Sequence, residues 1–397
     1  MTQPARLTQP NEPREAEAAF LADVRAFLDE ALTPDLRRAG RLTFGVHADI
    51  EASRLWHRRL HARGWVAPAW PKAWGGTGWT ARQRFLFDRE CALNDAPVMF
   101  AGGIRSVGPL LIEMGSPLQR ARYLPAILSG ADQWCQGFSE PGAGSDLAAI
   151  STRAVREGEH YVVNGSKIWT TGAHHANRMF SIVRTDDRGK RQEGLTFLLI
   201  DMDSPGLTVA PILDLNGAHE FNQVFFDDVR VPVAGRVGEE NDGWSVAKRL
   251  MQLARSNNTP AALVRRVMRR TAQALTDAGE TLEPEVRTRL ASLEIELLAF
   301  EQMELRMLPD GRPRPGDQTA PSMLKMVGSE LHQRIAGLAL DIAGPGALAT
   351  LEAIGLAGAE IDNGAYTLAK HFAVRAATIY SGSSETQRNV IARTLLA

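Results

Sequence analysis

The chain has little of several features that would place it in a specialised class of protein. Two of its 397 residues are cysteine, too few for a disulfide framework, so Cys91 and Cys135 favour a reducing compartment. No run of about 18 apolar residues could cross a bilayer, and the N-terminal stretch lacks the apolar core of a signal peptide. Lys plus Arg number 45 against 46 Asp plus Glu, so no charge excess favours nucleic acid or an acidic membrane. Composition therefore predicts a cytoplasmic protein that acts on neither membrane nor nucleic acid.

What is present is an ordinary globular content of 44% hydrophobic residues, arranged in three stretches. Residues 1–133 and 241–397 carry apolar residues at helical spacing. Residues 134–240 consist of short β-rich runs between turn residues, with Asn164-Gly165 as one predicted turn. Because no long helix separates these runs, we predict an α+β multi-domain fold, in which an antiparallel β-barrel or sandwich lies between two helical domains.

Two local patterns are interpreted as ordinary surface. His57 and His61 are four residues apart on a predicted helix and could bind a metal. No third ligand lies near them in sequence, so we interpret them as a solvated helix face and expect no metal. The basic run Arg265 to Arg270 is interpreted as a solvated or subunit-facing helix side rather than a polyanion site.

The first motif with chemical content is CQGFSEPGAGSDLAAI, residues 135–150, where the β-rich stretch begins. It combines the hydroxyls of Ser139 and Ser145 with the Glu140 carboxylate and two glycines. Such a stretch can present amides and hydroxyls to a polar heterocycle and a phosphate. It lacks the third glycine of a dinucleotide fingerprint, and a plain glycine-rich turn is the alternative.

A second motif, NGSKIWTTGAHHAN, follows about 25 residues later. Trp169 offers a flat stacking surface. In an extended strand Thr171 would point to the same face, because side chains alternate. Core packing is the alternative for a single tryptophan in a strand.

The C-terminal sequence IYSGSSETQRNVIARTLLA interrupts a helical pattern. Ser381 to Ser384 break an apolar run, and Glu385 restarts a helix that runs to the end of the chain. A Gly-Ser break between two helices usually lets backbone amides face a ligand.

These motifs, with GLTFLLIDMDSPGL and FNQVFFDDVRVP between them, resemble the acyl-CoA dehydrogenase family in order and spacing, from about Phe20 to Ala397. The spelling CQGFSEPGAGSD and the loop WVAPAWPKAWGGTGW look closest to the large-subunit type that acts on dicarboxylyl- and steroid-side-chain acyl-CoA. The resemblance implies a C-terminal four-helix domain, FAD as cofactor and electron-transferring flavoprotein as acceptor. It also implies assembly as a homo-dimer or tetramer, or as a hetero-tetramer with a related subunit.

Carried over residue by residue, the resemblance assigns site roles in this chain. Trp169 would stack beside the flavin and Thr171 would hydrogen-bond flavin N5. Ser383 would contact the FAD phosphates, and Ser145 would meet the pyrophosphate or the pantetheine arm of the substrate. The flavin ring would be lined by Gln136, Phe138 and Ser139.

The sequence departs from the family where dehydrogenation needs a base for the α-proton. In most relatives a Glu follows the tail Tyr, but here that position is Ser381, which keeps only a backbone amide for the thioester carbonyl. In a minority, the large-subunit type among them, the Glu precedes an Arg on the first long helix after the β domain. Here that position is Ala254, followed by Arg255, which we expect to face substrate. Glu385 is interpreted as structural or cofactor-side.

A second departure concerns FAD. The Arg-x-x-Phe-Gly stretch whose Arg grips the pyrophosphate is missing, and Asp341 to Ala349 only approximates the loop for a neighbour's ADP. We therefore expect FAD binding that is weaker or completed by another subunit.

Three interpretations of the empty base position are open. Ala254 is an engineered replacement of a catalytic Glu, or the chain is the base-free half of a heteromer, or the site performs chemistry without α-proton removal, such as expelling a β-leaving group.

Overall fold

The computed structural model shows the predicted three-part architecture. The N-terminal part is helical and ends at Ser129, the strands lie between Trp134 and Val237, and helices resume at Gly243. The structure describes residues 12–253, 260–277, 283–308, 318–345, 347 and 363–396.

Local chemistry sets the ends of the N-terminal helices. Asp49 caps one of them by accepting the amides of Glu51 and Ala52, and Gly64 closes the same helix at φ +76°, near where the sequence predicted its end. The helices are α1 (Glu12–Ala31), α2 (Pro34–Arg41), α3 (Ile50–Arg63), α4 (Ala81–Leu93), α5 (Gly108–Met114) and α6 (Pro117–Ser129).

The middle part is one mixed sheet. The strands are β1 (Trp134–Gly137), β2 (Arg153–Glu157), β3 (His160–Lys167), β4 (Arg178–Arg184), β5 (Leu195–Asp201), β6 (Leu207–Leu213), β7 (His219–Pro232) and β8 (Arg236–Val237). Their order is β6-β7-β3-β2-β4-β5-β8, with β1 beside β4. Pairing is antiparallel except where β4 meets β1 and β2. The path has two free ends, so the described sheet is open and does not close into a barrel, which was one of the two predicted forms.

The structure describes six C-terminal α-helices, and four of them pack around a fifth. They are α7 (Gly243–Leu253), α8 (Ala261–Asp277), α9 (Pro284–Arg306), α10 (Ala320–Ala343), α11 (Asn363–Ala373) and α12 (Ser384–Leu396). Helix α10 contacts α8, α9, α11 and α12, and residues such as Val264, Leu297 and Ile335 form their shared core.

The predicted turn at Asn164-Gly165 is wrong. Strand β3 runs through both residues, and its register against β7 shifts between Val163 and Gly165. Gly165 has φ +140°, and a Cβ there would lie 2.8 Å from Thr152. The glycine therefore serves a β-bulge close to a neighbouring strand instead of a hairpin.

The basic run on α8 is not simply the solvated helix side that the sequence predicts, although Arg269 is exposed. Arg266 is 3% exposed and donates to the Ala96 carbonyl at 3.2 Å. Arg269 donates to the Leu93 carbonyl at 2.6 Å, at the end of α4. Cations are stabilised at helix C-termini, so these side chains join α8 to the N-terminal part.

The histidine pair on α3 also differs from its interpretation. His57 is 4% exposed, and its Nε2 lies 2.9 Å from the Leu128 carbonyl, while His61 is exposed. Among the described residues, no group of three or more His, Cys, Asp or Glu could hold a metal ion. In the same ranges, no helix has the length and apolar character to cross a bilayer.

Candidate active site

The segment that leaves β1 presents one side chain outward and buries the next. Gln136 is exposed and Ser139 is half-buried. The Phe138 ring is 5% exposed and packs edge-on against Phe180 and Phe197, with centroids 5.9 and 6.1 Å away. A ligand at this surface would therefore meet the backbone of Phe138 and not its ring.

Glu140 closes the turn that follows. Its backbone exchanges two hydrogen bonds with Ala143, and its buried carboxylate accepts from Lys167 Nζ at 2.7 Å. The same carboxylate accepts from the Ser151 amide and hydroxyl and from the Thr152 amide. Burial acts to raise the pKa of Glu140, but Lys167 and these donors hold it below its ordinary value. Glu140 is thus a fixed anion of the scaffold.

The tip of this turn is open. Ser145 is exposed, and a Cβ added at Gly142 or Gly144 would meet nothing within 4 Å. Steric fit within the chain therefore does not require glycine at these two positions. A cavity of about 360 Å³ lies beside the turn, lined in part by Pro141 and Phe225. A polar ligand can therefore approach the backbone here.

The second motif does not continue the strand, so the predicted shared face of Trp169 and Thr171 is wrong. Strand β3 ends at Lys167. Trp169 then takes φ +58°, leaves its side chain 58% exposed and touches the edge of Phe221. Thr171 follows, half-buried, in a turn. The alternation argument fails because a left-handed residue interrupts extended backbone.

A backbone hydrogen bond nevertheless joins the two motifs directly. The Ile168 amide donates to the Ser139 carbonyl at 2.8 Å. This bond joins the backbone just before Trp169 to that of Ser139, so the structure brings together two segments that are about 30 positions apart in the sequence.

The predicted break in the C-terminal helices is present. Ser381 has φ +55° and Gly382 has φ +90°. Ser383 then caps α12, because its hydroxyl accepts the Thr386 amide at 3.2 Å. A serine in the left-handed region carries strain of about 1–3 kcal/mol, and such residues cluster at functional sites.

The predicted base positions are only partly visible. Ala254 and Arg255 lie outside the described residues, as does part of the stretch from Asp341 to Ala349. Glu385 is exposed, and its own amide and the Ser383 hydroxyl lower its pKa, so it is a poor base.

Sequence reasoning missed one buried carboxylate, Glu220. It is 8% exposed, burial raises its pKa, and it accepts the Val46 amide. It also acts with burial to raise the pKa of Tyr380, the residue before Ser381, to about 12. A Cβ at Gly45 would lie 2.6 Å from both carboxyl oxygens, so Glu220 packs closely against the segment that contains Gly45 and Val46. A polar residue in an alternating strand gives no signal for such a role.

Sequence models of one family match three consecutive parts of the chain. They are the N-terminal, middle and C-terminal domains of acyl-CoA dehydrogenase, at residues 14–131, 135–229 and 241–396. The chain belongs to the acyl-CoA dehydrogenase family of oxidoreductases.

Several individual members of this family resemble the chain in sequence or in structure. Acyl-CoA dehydrogenase IpdE1 of Mycobacterium tuberculosis is 34% identical over 95% of this chain and 96% of its own length. Acyl-CoA dehydrogenase FadE29 of the same organism is 40% identical over 56% of each chain. The solved Tcur3481-Tcur3483 steroid acyl-CoA dehydrogenase superposes with a TM-score of 0.81 at 28% identity, over 99% of both chains. The ChsE4-ChsE5 complex from M. tuberculosis gives 0.79 at 28% identity, over 99% of this chain and 98% of its own. The chain is thus similar to acyl-CoA dehydrogenases of the steroid side-chain type.

Proposed function

We propose that this chain binds FAD and takes part in the α,β-dehydrogenation of an acyl-CoA thioester of the steroid side-chain type. The substrate class is supported by the steroid acyl-CoA dehydrogenase among the solved relatives. The observation that supports this proposal most is the backbone hydrogen bond from Ile168, the neighbour of Trp169, to Ser139, which joins the two motifs.

The residues fit a flavin. A tryptophan that is 58% exposed in a left-handed bend offers a free aromatic face, and an isoalloxazine ring is a suitable stacking partner. Gln136 and Ser139 add polar groups beside it. Ser383 stands at the N-terminus of α12, where phosphates are favoured by free amides and the helix dipole.

The thioester would bind at the other side of this junction. The backbone amide of Ser381 is proposed to donate to the thioester carbonyl, which makes the α-proton more acidic. Ser145 and Arg255 are the proposed contacts for the CoA arm. Bound FAD supplies the acceptor for the hydride that leaves the β-carbon, and electron-transferring flavoprotein is the proposed next acceptor.

The missing base favours a heteromer. Ser381 and Glu385 cannot act as an effective base, and Ala254 has no titratable group. Two of the most similar solved structures are named as pairs of gene products, Tcur3481-Tcur3483 and ChsE4-ChsE5. We therefore propose that the chain is one half of a hetero-oligomer whose partner carries the catalytic carboxylate.

The test compares the chain alone with the chain co-expressed with a related acyl-CoA dehydrogenase subunit. Flavin absorbance gives the FAD content, and an artificial electron acceptor reports turnover of acyl-CoA. We expect little turnover alone and restored turnover in a mixed complex. A complex that forms and binds FAD but has no activity would contradict the proposal. Turnover of acyl-CoA by the chain alone at a rate typical of the family would also contradict it.

Restoring the carboxylate tests the base position itself. Ala254→Glu should raise turnover by roughly 10²- to 10⁴-fold, while the matched control Ala254→Gln, with the same size and no base, should stay inactive. Equal rates in the two variants would exclude this helix position as a working site for the base.

A further inference from the structure

The segment that carries Trp169 and Thr171 is held on β7 at two residues. The Gly172 amide donates to the Glu220 carbonyl at 2.9 Å, and Thr170 is bound by Asn222. The Thr170 amide donates to the Asn222 backbone carbonyl at 3.0 Å, and Asn222 Nδ2 donates to the Thr170 carbonyl at 2.9 Å. Both peptide groups that flank the Thr170 side chain are therefore bound by the same residue. Asn222 is 0% exposed, so solvent cannot take over these bonds.

The orientation of the Asn222 amide is itself fixed. His219 Nε2 lies 2.7 Å from Asn222 Oδ1. A carbonyl oxygen only accepts, so this histidine nitrogen donates. The Thr170 carbonyl can only accept, so it fixes which end of the Asn222 amide carries the nitrogen, and turning the amide over would leave this carbonyl without its partner. The His174 ring stacks on His219 with centroids 3.8 Å apart, and its Nδ1 also lies 3.2 Å from Asn222 Oδ1 and 3.1 Å from Asn222 Nδ2.

The backbone of this segment is in an unfavourable conformation that its own side chains do not fix. Trp169 has φ +58°, which is unfavourable for a side chain with a Cβ. Its indole is mostly free of protein contact, so packing of the ring does not fix the backbone. The bonds from Asn222 to the next residue oppose relaxation of this bend toward extended backbone.

We infer that Asn222 is a positioning residue for the flavin, acting through the backbone of Thr170, and that His219 supports the oxygen end of its amide. This inference rests on the proposed function, in which Trp169 and Thr171 contact the flavin. Asn222 itself is buried beneath the segment and touches neither cofactor nor substrate.

The test uses an amide-to-carboxylate change at two neighbouring positions. Asn222→Asp keeps the shape and the acceptor for His219 but removes the donor to Thr170. Gln223→Glu is the matched control, because Gln223 is the next residue on β7 and makes only a 3.5 Å side-chain contact to Ser166. His219→Leu is a milder second variant, since His219 is exposed and its loss should not prevent folding.

Three quantities are measured in the full-length protein: FAD affinity, the visible flavin spectrum, and hydrogen exchange of the peptide covering 168–172. We expect Asn222→Asp to weaken FAD binding on the order of tenfold, shift the spectrum and speed the exchange. His219→Leu should shift all three in the same direction by less, and Gln223→Glu should leave them unchanged.

The outcomes separate the inference from the proposed function. A wild-type protein that binds no FAD would refute the proposed function, and with it a flavin-positioning role. A wild type that binds FAD, with Asn222→Asp unchanged in affinity and spectrum, would overturn the inference alone, even if that variant melted earlier. Should Asn222→Asp fail to fold, an unaltered flavin spectrum in His219→Leu would overturn it equally.

Discussion

The buried ion pair between Lys167 and Glu140 gives the sharpest prediction about stability. Both side chains are almost completely enclosed, at 0% and 4% exposure. The ammonium donates to Glu140 at 2.7 Å, to the Ile182 carbonyl at 2.7 Å and to the Phe138 carbonyl at 3.3 Å. Lys167→Met keeps an apolar stem of similar length and removes the charge, so it isolates the contribution of this ammonium.

The expected cost follows from what the substitution leaves behind. Removing one partner of a buried pair typically costs about 3–5 kcal/mol, because the other charge stays buried without compensation. Here the Glu140 carboxylate still accepts from the Ser151 amide and hydroxyl and the Thr152 amide. We therefore expect the lower end, about 3 kcal/mol in the free energy of unfolding.

The double variant Lys167→Met/Glu140→Gln tests this cause. A neutral amide keeps one oxygen for the Ser151 amide and hydroxyl, but its NH₂ group then faces the Thr152 amide, so the second change should recover only about 1 kcal/mol of the loss. Urea unfolding followed by circular dichroism measures all the variants. Arg230→Met, which removes an exposed pair with Glu157, is the control and should cost less than about 1 kcal/mol. A Lys167→Met cost equal to this control, or a double variant less stable than Lys167→Met, would refute the reasoning.

Three further predictions concern steric fit, pH and the cofactor. Gly45→Ala should lower the free energy of unfolding in urea by about 1–3 kcal/mol, because its methyl would lie 2.6 Å from the Glu220 oxygens. The control Gly337→Ala, whose methyl would have nothing within 4 Å, should not lower it. Burial and its histidine neighbours lower the pKa of His174 to about 4. Between pH 6.5 and 4 the unfolded chain therefore binds a proton at this residue and the folded chain does not. The free energy of unfolding should fall as the pH drops through that range. His174→Gln should flatten this fall in melting temperature, and an unchanged slope would contradict it. Trp169→Ala should weaken FAD binding up to about tenfold in a flavin titration while leaving unfolding unchanged, and an equal FAD affinity would argue against stacking.

Features that depend on local backbone chemistry could be predicted from the sequence. The end of α3 near Gly64 and the break at Ser381 and Gly382 were predicted correctly. Each depends on a residue type that favours a particular backbone conformation or cannot continue a helix. The order of helices, strands and helices was predicted for the same reason, because the spacing of apolar residues reports the period of the element that contains them.

Features that depend on contacts between residues far apart in the sequence could not be predicted. Alternation placed Trp169 and Thr171 on one strand, but β3 ends at Lys167, whose ammonium is drawn inward by Glu140, 27 residues away in sequence. Asn164-Gly165 has the composition of a hairpin turn, yet continued pairing of β3 with β7 makes it a bulge. In both cases a non-local contact decides the backbone conformation, and no local pattern reveals that contact.

The departures from the family affect groups of different kinds, and this difference bears on what the chain can still do. A catalytic base is a side chain, so a single substitution, such as alanine at the proposed base position 254, removes it. The proposed thioester contact is the backbone amide of Ser381, which no change of side chain removes. The segment proposed to face the flavin is likewise held by the backbone of Thr170 and by Asn222, far from either base position in the sequence. Loss of the base is therefore compatible with an intact cofactor and thioester site, as expected of one half of a heteromer.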